Sequence, residues 1–289
     1  MSWTGSEDVA PTTRIATVIN ALLPSERRVV ELILADTEGA MESTAQELAD
    51  RAGVARSTVV RACQSLGYRG YPQLRVALTR ELAQASQASQ REQDYGTSAL
   101  GRIRADIDAL AASLPQVASV LTEESVESAI ALIVNARRLL ALATGLSSPL
   151  ASDLSMRLTA IGRPTEFVGD PIGQQIAARQ LTAHDTAVVI SGSGANESSL
   201  RSARAVRAAG AKLIVVTSFA SSPLVSLADV ALVVAPATGS FRHEIEHTSR
   251  VPHVILLESL VEVVGTRLGD ASRTARSTVL SILSDNLSE

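Results

Sequence analysis

Apolar and polar positions along the 289 residues follow two periods, which divide the chain. Between residues 22 and 80 apolar positions recur every three or four, the spacing of one helix face. LPSERRVVELILAD has an acid in its first turn and places Val29, Val30, Ile33 and Leu34 in this way. The next helix opens with Thr44-x-x-Glu47, a capping box in which each side chain covers a free amide at the other's end. It meets Ala52-Gly53-Val54, where a tight turn between helices needs a residue tolerant of positive φ. A third helix, ARSTVVRACQSL, ends at Gly67. On it Val59, Cys63 and Leu66 share an inward face, while Ser57, Arg61 and Gln64 share the adjacent outward one.

From about residue 120 the period changes. Short aliphatic runs, RLLALAT (138–144), PTEFVG (164–169), TAVVIS (186–191), KLIVVTS (212–218) and VALVVA (230–235), alternate with amphipathic stretches. Those stretches are PLASDLSMRLTAIG, IGQQIAARQL, NESSLRSARAVRAAG and SSPLVSLAD. Strands separated by helices of this length predict a five-stranded parallel sheet covered on both faces, a three-layer αβα fold. Ser148-Pro149 and Ser222-Pro223 each predict a helix start, a cap followed by proline at the first helical position. Residues 83–98, AQASQASQREQDYGTS, read as a linker, helical at first and then loose.

The first half carries a local charge pattern. Arg51, Arg56, Arg61, Arg69, Arg75 and Arg80 fall in a stretch without an acid. A helix-turn-helix whose second helix is polar and arginine-bearing suits the major groove. Arginine there reaches guanine edges or phosphates, and hydroxyls bond phosphates at the helix start. The expected DNA-contacting set is Thr44, Arg56, Ser57, Thr58, Arg61, Gln64, Arg69 and Tyr71. The plainer alternative is a helical bundle whose arginines only solubilise it.

In the second half, chemistry gathers at the strand ends, where open α/β sheets bind ligands. Thr144-Gly-Leu-Ser147-Ser148 follows the first run, Ser191-Gly-Ser-Gly-Ala-Asn196 the third and Thr217-Ser218 the fourth. Hydroxyls and glycines that lead into helix N-termini form a rim for an anion, with little need for lysine or arginine. The plainer alternative is that serine and glycine are common in loops. A dinucleotide is excluded. SGSGAN lacks the third glycine, and no acid ends KLIVVTS. No Gly-Lys-Ser/Thr loop for a nucleoside triphosphate occurs either.

HEIEHTSRVPH (243–253) raises a zinc protease, since His243, Glu244 and His247 spell H-E-x-x-H and His253 falls where a third ligand could lie. The longer motif needs glycine where Arg250 stands, and a methionine after the ligands, yet the three methionines are Met1, Met41 and Met156. No metal site is expected. Glu244, Glu246, His243 and His247 remain candidate groups for proton transfer, against the plainer reading of a solvated loop. His184 and His253 read as surface or packing residues.

Composition narrows the classes further. Hydrophobic residues make up 46% and aromatics 2%, so the core is aliphatic. The net charge of −4 gives no global signal for nucleic acid, which leaves the local patch to carry it. Lys212 is the only lysine and Cys63 the only cysteine, so no disulfide forms within the chain and a reducing compartment is expected. MSWTGSEDVAPTT lacks the basic start and apolar core of a signal peptide, and no apolar run approaches the ~18 residues of a membrane span. A cytoplasmic protein without membrane partner or cofactor is expected.

LLPSERRVVELIL followed by TAQELADRAGVARSTVVRACQSLGYRGYPQLRVAL resembles the N-terminal domain of RpiR-type bacterial transcription regulators over about sixty residues. VVISGSGANES, SSPLVSLAD and SRVPHVILLESL resemble the sugar isomerase (SIS) domain that these regulators carry, over roughly 125–265. The resemblance implies an all-α helix-turn-helix domain at 1–80, a linker at 81–115 and an α/β phosphosugar-binding domain at 116–289. By that match Ser191, Ser193 and Asn196 hold the phosphate and Ser147 lines the sugar side. The full expected set is Gly145, Ser147, Ser148, Ser191, Ser193, Gly194, Asn196 and Ser218. The implied partners are double-stranded operator DNA, a sugar-phosphate effector and a second copy, as a homodimer or dimer of dimers. No catalytic residue is assigned; the alternative is a sugar-phosphate isomerase with an appended DNA-binding domain. Three positions depart from the family: Ala55 where a serine usually opens the recognition helix, Ala143 for a loop glycine, and Asn196 for threonine.

Overall fold

The computed structural model of the chain describes residues 3, 9–95, 98–235 and 249–287. The chain divides into two compact units, one built on Met1–Val120, the other on Leu121–Val234 and Thr248–Glu289.

The first unit holds α1 (Pro11–Val18), α2 (Pro24–Ala35), α3 (Thr37–Glu42), α4 (Ala45–Ala52), α5 (Arg56–Ser65), α6 (Tyr71–Asp94) and α7 (Ala99–Ser113). The capping box forms as expected: Thr44 Oγ1 accepts from the Glu47 amide, and the Glu47 carboxylate accepts from the Thr44 amide. Gly53 ends α4 with φ 63°, so the chain reverses within three residues and α5 begins. Val29, Val30, Ile33, Leu48, Val59, Cys63, Leu66, Leu74 and Leu78 form the core. Burial pushes the Cys63 thiol up to about 12. Arg14 is buried too; its guanidinium lies over the rings of Tyr68 (4.4 Å) and Trp3 (5.3 Å) and donates to the Val9 and Leu66 carbonyls. The stretch read as a linker, 81–115, contains the end of α6 and all of α7.

The second unit holds α8 (Glu123–Asn135), β1 (Leu139–Ala143), α9 (Ser148–Ala160), β2 (Glu166–Phe167), α10 (Pro171–Arg179), β3 (Thr186–Ile190), α11 (Glu197–Ala208), β4 (Lys212–Thr217), β5 (Val230–Val233), α12 (Val251–Leu268) and α13 (Asp270–Asn286). The five strands are parallel in the order β2-β1-β3-β4-β5, with Ala143 opposite Ile190 and Ile190 opposite Val216. Leu140, Leu142, Ala187, Val189, Leu213 and Val215 meet α10 and α11. Alternation along each strand sends the intervening residues to the opposite face, toward α8, α9 and α12.

One expected helix does not form. After Ser222-Pro223 the chain makes only a 3-10 turn at Val225–Leu227. The Leu224 amide donates to the Gly194 carbonyl (3.0 Å), and Asp229 already pairs with Leu213, so too little chain remains for an α-helix. At the other proline, α9 does form, but Ser147 is its N-cap and Ser148 its first residue, with no capping bond from either side chain.

At the amino ends of the strands, Asp185 is fully buried and accepts from Arg137 Nε and Nη2 (3.2 Å each), the Arg138 amide (3.1 Å) and the Thr182 amide and hydroxyl (2.7 and 2.8 Å). Burial alone would raise its pKa; these donors outweigh burial and hold it at about 2, below the usual 3.8. A carboxyl held low in the folded state adds stability above its unfolded pKa and loses it as pH falls to the folded value. The sheet domain is therefore expected to lose stability between about pH 4 and pH 2. In Asp185→Asn the unfolding midpoint is lower at neutral pH and changes less across that window. An unaltered slope in urea denaturation at a series of pH values would contradict this role.

Candidate functional site

In the first unit the exposed face of α5 carries Arg56, Ser57, Arg61 and Gln64, and Arg69 is exposed beyond it. Ala55 caps α5 without a side-chain bond; its carbonyl accepts from the Thr58 amide (2.8 Å), and the Arg56 and Ser57 amides gain no cap from its side chain. Thr44 is exposed at the start of α4, its hydroxyl already engaged in the capping box. Two expected contacts are corrected. Thr58 is only 4% exposed and accepts from Arg61 Nη2 (3.1 Å). Tyr71 is 3% exposed and its hydroxyl donates to the Ala40 carbonyl, which ties α6 to α3. Both serve the bundle, because their apolar parts fill it and their polar atoms find partners inside.

In the second unit the strand order reverses direction between β1 and β3, the switch point where open sheets hold ligands. The loops after β1, β3 and β4 are joined there. Thr144 Oγ1 donates to Asn196 Oδ1 (3.2 Å) and lies 3.2 Å from Ser199 Oγ. Asn196 caps α11, its Oδ1 also accepting from the Ser199 amide (3.2 Å). Asn196 is exposed, and both of these bonds are made through its Oδ1. Thr217 Oγ1 and the Ser218 amide both donate to the Gly192 carbonyl (3.0 Å each).

The expected ligand residues separate by depth. Gly145 (φ 59°) and Asn196 are exposed, Ser148 and Ser193 are half-buried, and Ser147 and Ser191 are buried below them. Gly194 (φ 60°) is buried, and a Cβ on it would lie 2.2 Å from Ser222 Oγ and 2.8 Å from Thr217 Oγ1. Ser218 is corrected: it is wholly buried, with Oγ 3.4 Å from His253 Nε2, and so supports the loops from beneath.

Arg250 is the residue that sequence reasoning missed. It is the N-cap of α12, and a Cβ on Gly192 would lie 2.1 Å from its Nη1, so the glycine leaves space for a guanidinium against the loop backbone. The rim therefore has a cation after all. Its only local signal is a position just before a helix-opening Val-Pro, far along the chain from the loop that it touches. His253 is 1% exposed; burial, then the Arg250 charge, push its pKa down to about 3, so it is neutral at physiological pH. Its placement against Ser218 makes it a packing residue. His243, Glu244, Glu246 and His247 lie outside the described residues. Among the described residues no cluster of histidine, cysteine or carboxylate side chains could hold a metal, and no helix is long and apolar enough to cross a membrane.

Fold and rim define a two-domain protein with a helix-turn-helix module and a phosphosugar-type α/β module. Residues 12–85 match the helix-turn-helix domain of the rpiR family, and residues 132–255 match the SIS domain. The chain belongs to the RpiR-type transcription regulators that join these two domains. It is 30% identical over 272 residues to the bifunctional protein glk of Burkholderia thailandensis, covering 94% of this chain but only 42% of that protein. It thus spans less than half the length of that relative. An HTH-type transcriptional regulator of Clostridium perfringens is 25% identical over 273 residues, 90% of this chain and 94% of its own. Among solved structures, Vibrio vulnificus NanR complexed with ManNAc-6P shares the fold over 96% of this chain and 100% of its own, with TM-score 0.59 and 21% identity. The sugar isomerase domain of an RpiR transcription factor from Sphaerobacter thermophilus covers 64% of this chain and 96% of its own, with TM-score 0.51 and 20% identity.

Gly194 meets both a positive φ and a lack of room for a side chain. Gly194→Ala is therefore expected to destabilise the sheet domain by about 1–3 kcal/mol, read from the urea midpoint. A stability equal to the parent's would show that the β3 and β4 loops are not locked at this point.

Proposed function

We propose that the chain is a DNA-binding transcription regulator whose SIS domain senses a sugar phosphate at the rim between β1 and β3. The observation that carries this reading is the Ser191–Asn196 loop with the Arg250 guanidinium against Gly192. Hydroxyls, the Asn196 side-chain amide, the first-turn amides of α11 and one cation converge there, a donor set that suits a phosphate dianion. That NanR, of like fold, was solved with ManNAc-6P supports the ligand class. Arg56, Ser57, Arg61 and Gln64 supply the DNA face, with Arg69 beyond them. Two copies pair to match two half-sites of a palindromic operator. The ligand acts through its different affinity for the DNA-competent and incompetent arrangements. In this reading the rim binds its ligand without turning it over. Turnover of aldose or ketose phosphates by the purified protein would overturn that part.

A thermal-shift series with a panel of sugar phosphates tests the sensor. A ligand at a hundred times its Kd adds about 2.7 kcal/mol to the folded state, and its melting midpoint rises accordingly. Ser193→Ala is expected to raise the concentration needed roughly fivefold, and Arg250→Ala tenfold or more, the difference between a neutral and a charge-assisted bond. Variants that keep the parent's concentration dependence would remove this rim as the site.

A further inference from the structure

Glu26, in the first turn of α2, lies against α5. Only 8% of its side chain is exposed, and a carboxylate is costly to bury unless something compensates it. The free amides at the start of α2 favour a negative charge there. On α5 two residues face it: Ser65 Oγ at 3.4 Å and Arg61 Nε at 4.0 Å, four residues apart and so on one side of the helix.

Arg61 is consequently held at two points. Its Nε edge is turned to Glu26, and its Nη2 donates to Thr58 Oγ1 (3.1 Å), a hydroxyl that is itself buried. The side chain remains 56% exposed. A guanidinium has five N–H donors; Nε is drawn toward Glu26 at ion-pair distance, one Nη2 hydrogen is engaged by Thr58, and both Nη1 hydrogens and the second Nη2 hydrogen remain. These form the end-on fork that matches O6 and N7 of guanine in the major groove. An unrestrained arginine swings to whichever phosphate is nearest, whereas one held by its inner edge presents a single geometry.

We propose that Glu26 is a positioning residue: with Thr58 it fixes Arg61 so that α5 reads one guanine instead of contacting the DNA backbone. This rests on the reading of α5 as the recognition helix, and the test separates the two. The 289-residue chain is used to enrich binding duplexes from a random-sequence DNA library. Affinities for the best duplex and for its single-base-pair substitutions are then measured for the parent, Arg61→Ala, Glu26→Gln and Thr58→Val. Arg61→Ala is expected to flatten the preference at one G·C pair by roughly fivefold to a hundredfold, as for the loss of a bidentate contact. Glu26→Gln and Thr58→Val are expected to flatten the same pair by roughly threefold to tenfold, with other pairs and the salt dependence unchanged, because neither residue contacts a phosphate. If Glu26→Gln strengthens binding to every duplex equally, the carboxylate acts only through bulk charge and the proposal falls. If Arg61→Ala flattens the pair but neither partner variant does, the proposal falls while the reading of α5 stands. If Arg61→Ala changes no pair, both fall. Should Glu26→Gln fail to fold in a thermal melt, the near-isosteric Thr58→Val decides the matter by the same criterion.

Discussion

The close approach of the loops after β3 and β4 depends on the absence of a side chain at Gly194, which lets Ser222 and Thr217 pack against the backbone of the SGSGAN loop. From that contact the rest of the rim follows. Leu224 is drawn onto the Gly194 carbonyl, Thr217 and Ser218 onto that of Gly192, and Asn196 is left at the mouth of α11, where Thr144 can reach it from β1. Three strand ends are thereby fixed to one another before any ligand arrives. A site made this way has its donors aimed in advance, so less ordering remains to be done on binding.

Charge is used sparingly in both units. In the sheet domain one guanidinium, Arg250, lies against neutral loops, and the histidine behind it stays uncharged. In the helical domain Arg61 is exposed on α5 while Glu26 and Thr58 hold it from the protein side. In each case the group proposed to meet the partner is placed by residues on its protein side. A site whose supporting residues are rigid distinguishes between similar ligands better than one that merely attracts them.

Much of this was readable from local patterns. The capping box at Thr44 and Glu47 and the turn at Gly53 involve neighbours in sequence, and the aliphatic runs that became β1, β3 and β4 announce their double-sided burial directly. What escaped was decided by distant contacts. Thr58 and Tyr71 look like polar surface residues until the positions of α2 and α3 are known. Ser222-Pro223 looks like a helix start until Gly194 takes the Leu224 amide. Arg250 gains its place only because the parallel sheet brings the start of α12 to the β3 loop. The hydroxyl rim was legible as a kind of chemistry, but its depth order, with Ser218 sealed and Asn196 outermost, belongs to the fold.

The single thiol of the chain has a practical consequence. Thiol reagents attack the thiolate, and at Cys63 burial within the helical core keeps that anion scarce at any physiological pH. While the bundle stays shut, thiol-directed dyes find no accessible thiol; each opening exposes one thiol and no other. The rate at which a maleimide label accumulates thus counts local openings of the helix-turn-helix core, which makes the protein its own reporter of how firmly that core is closed.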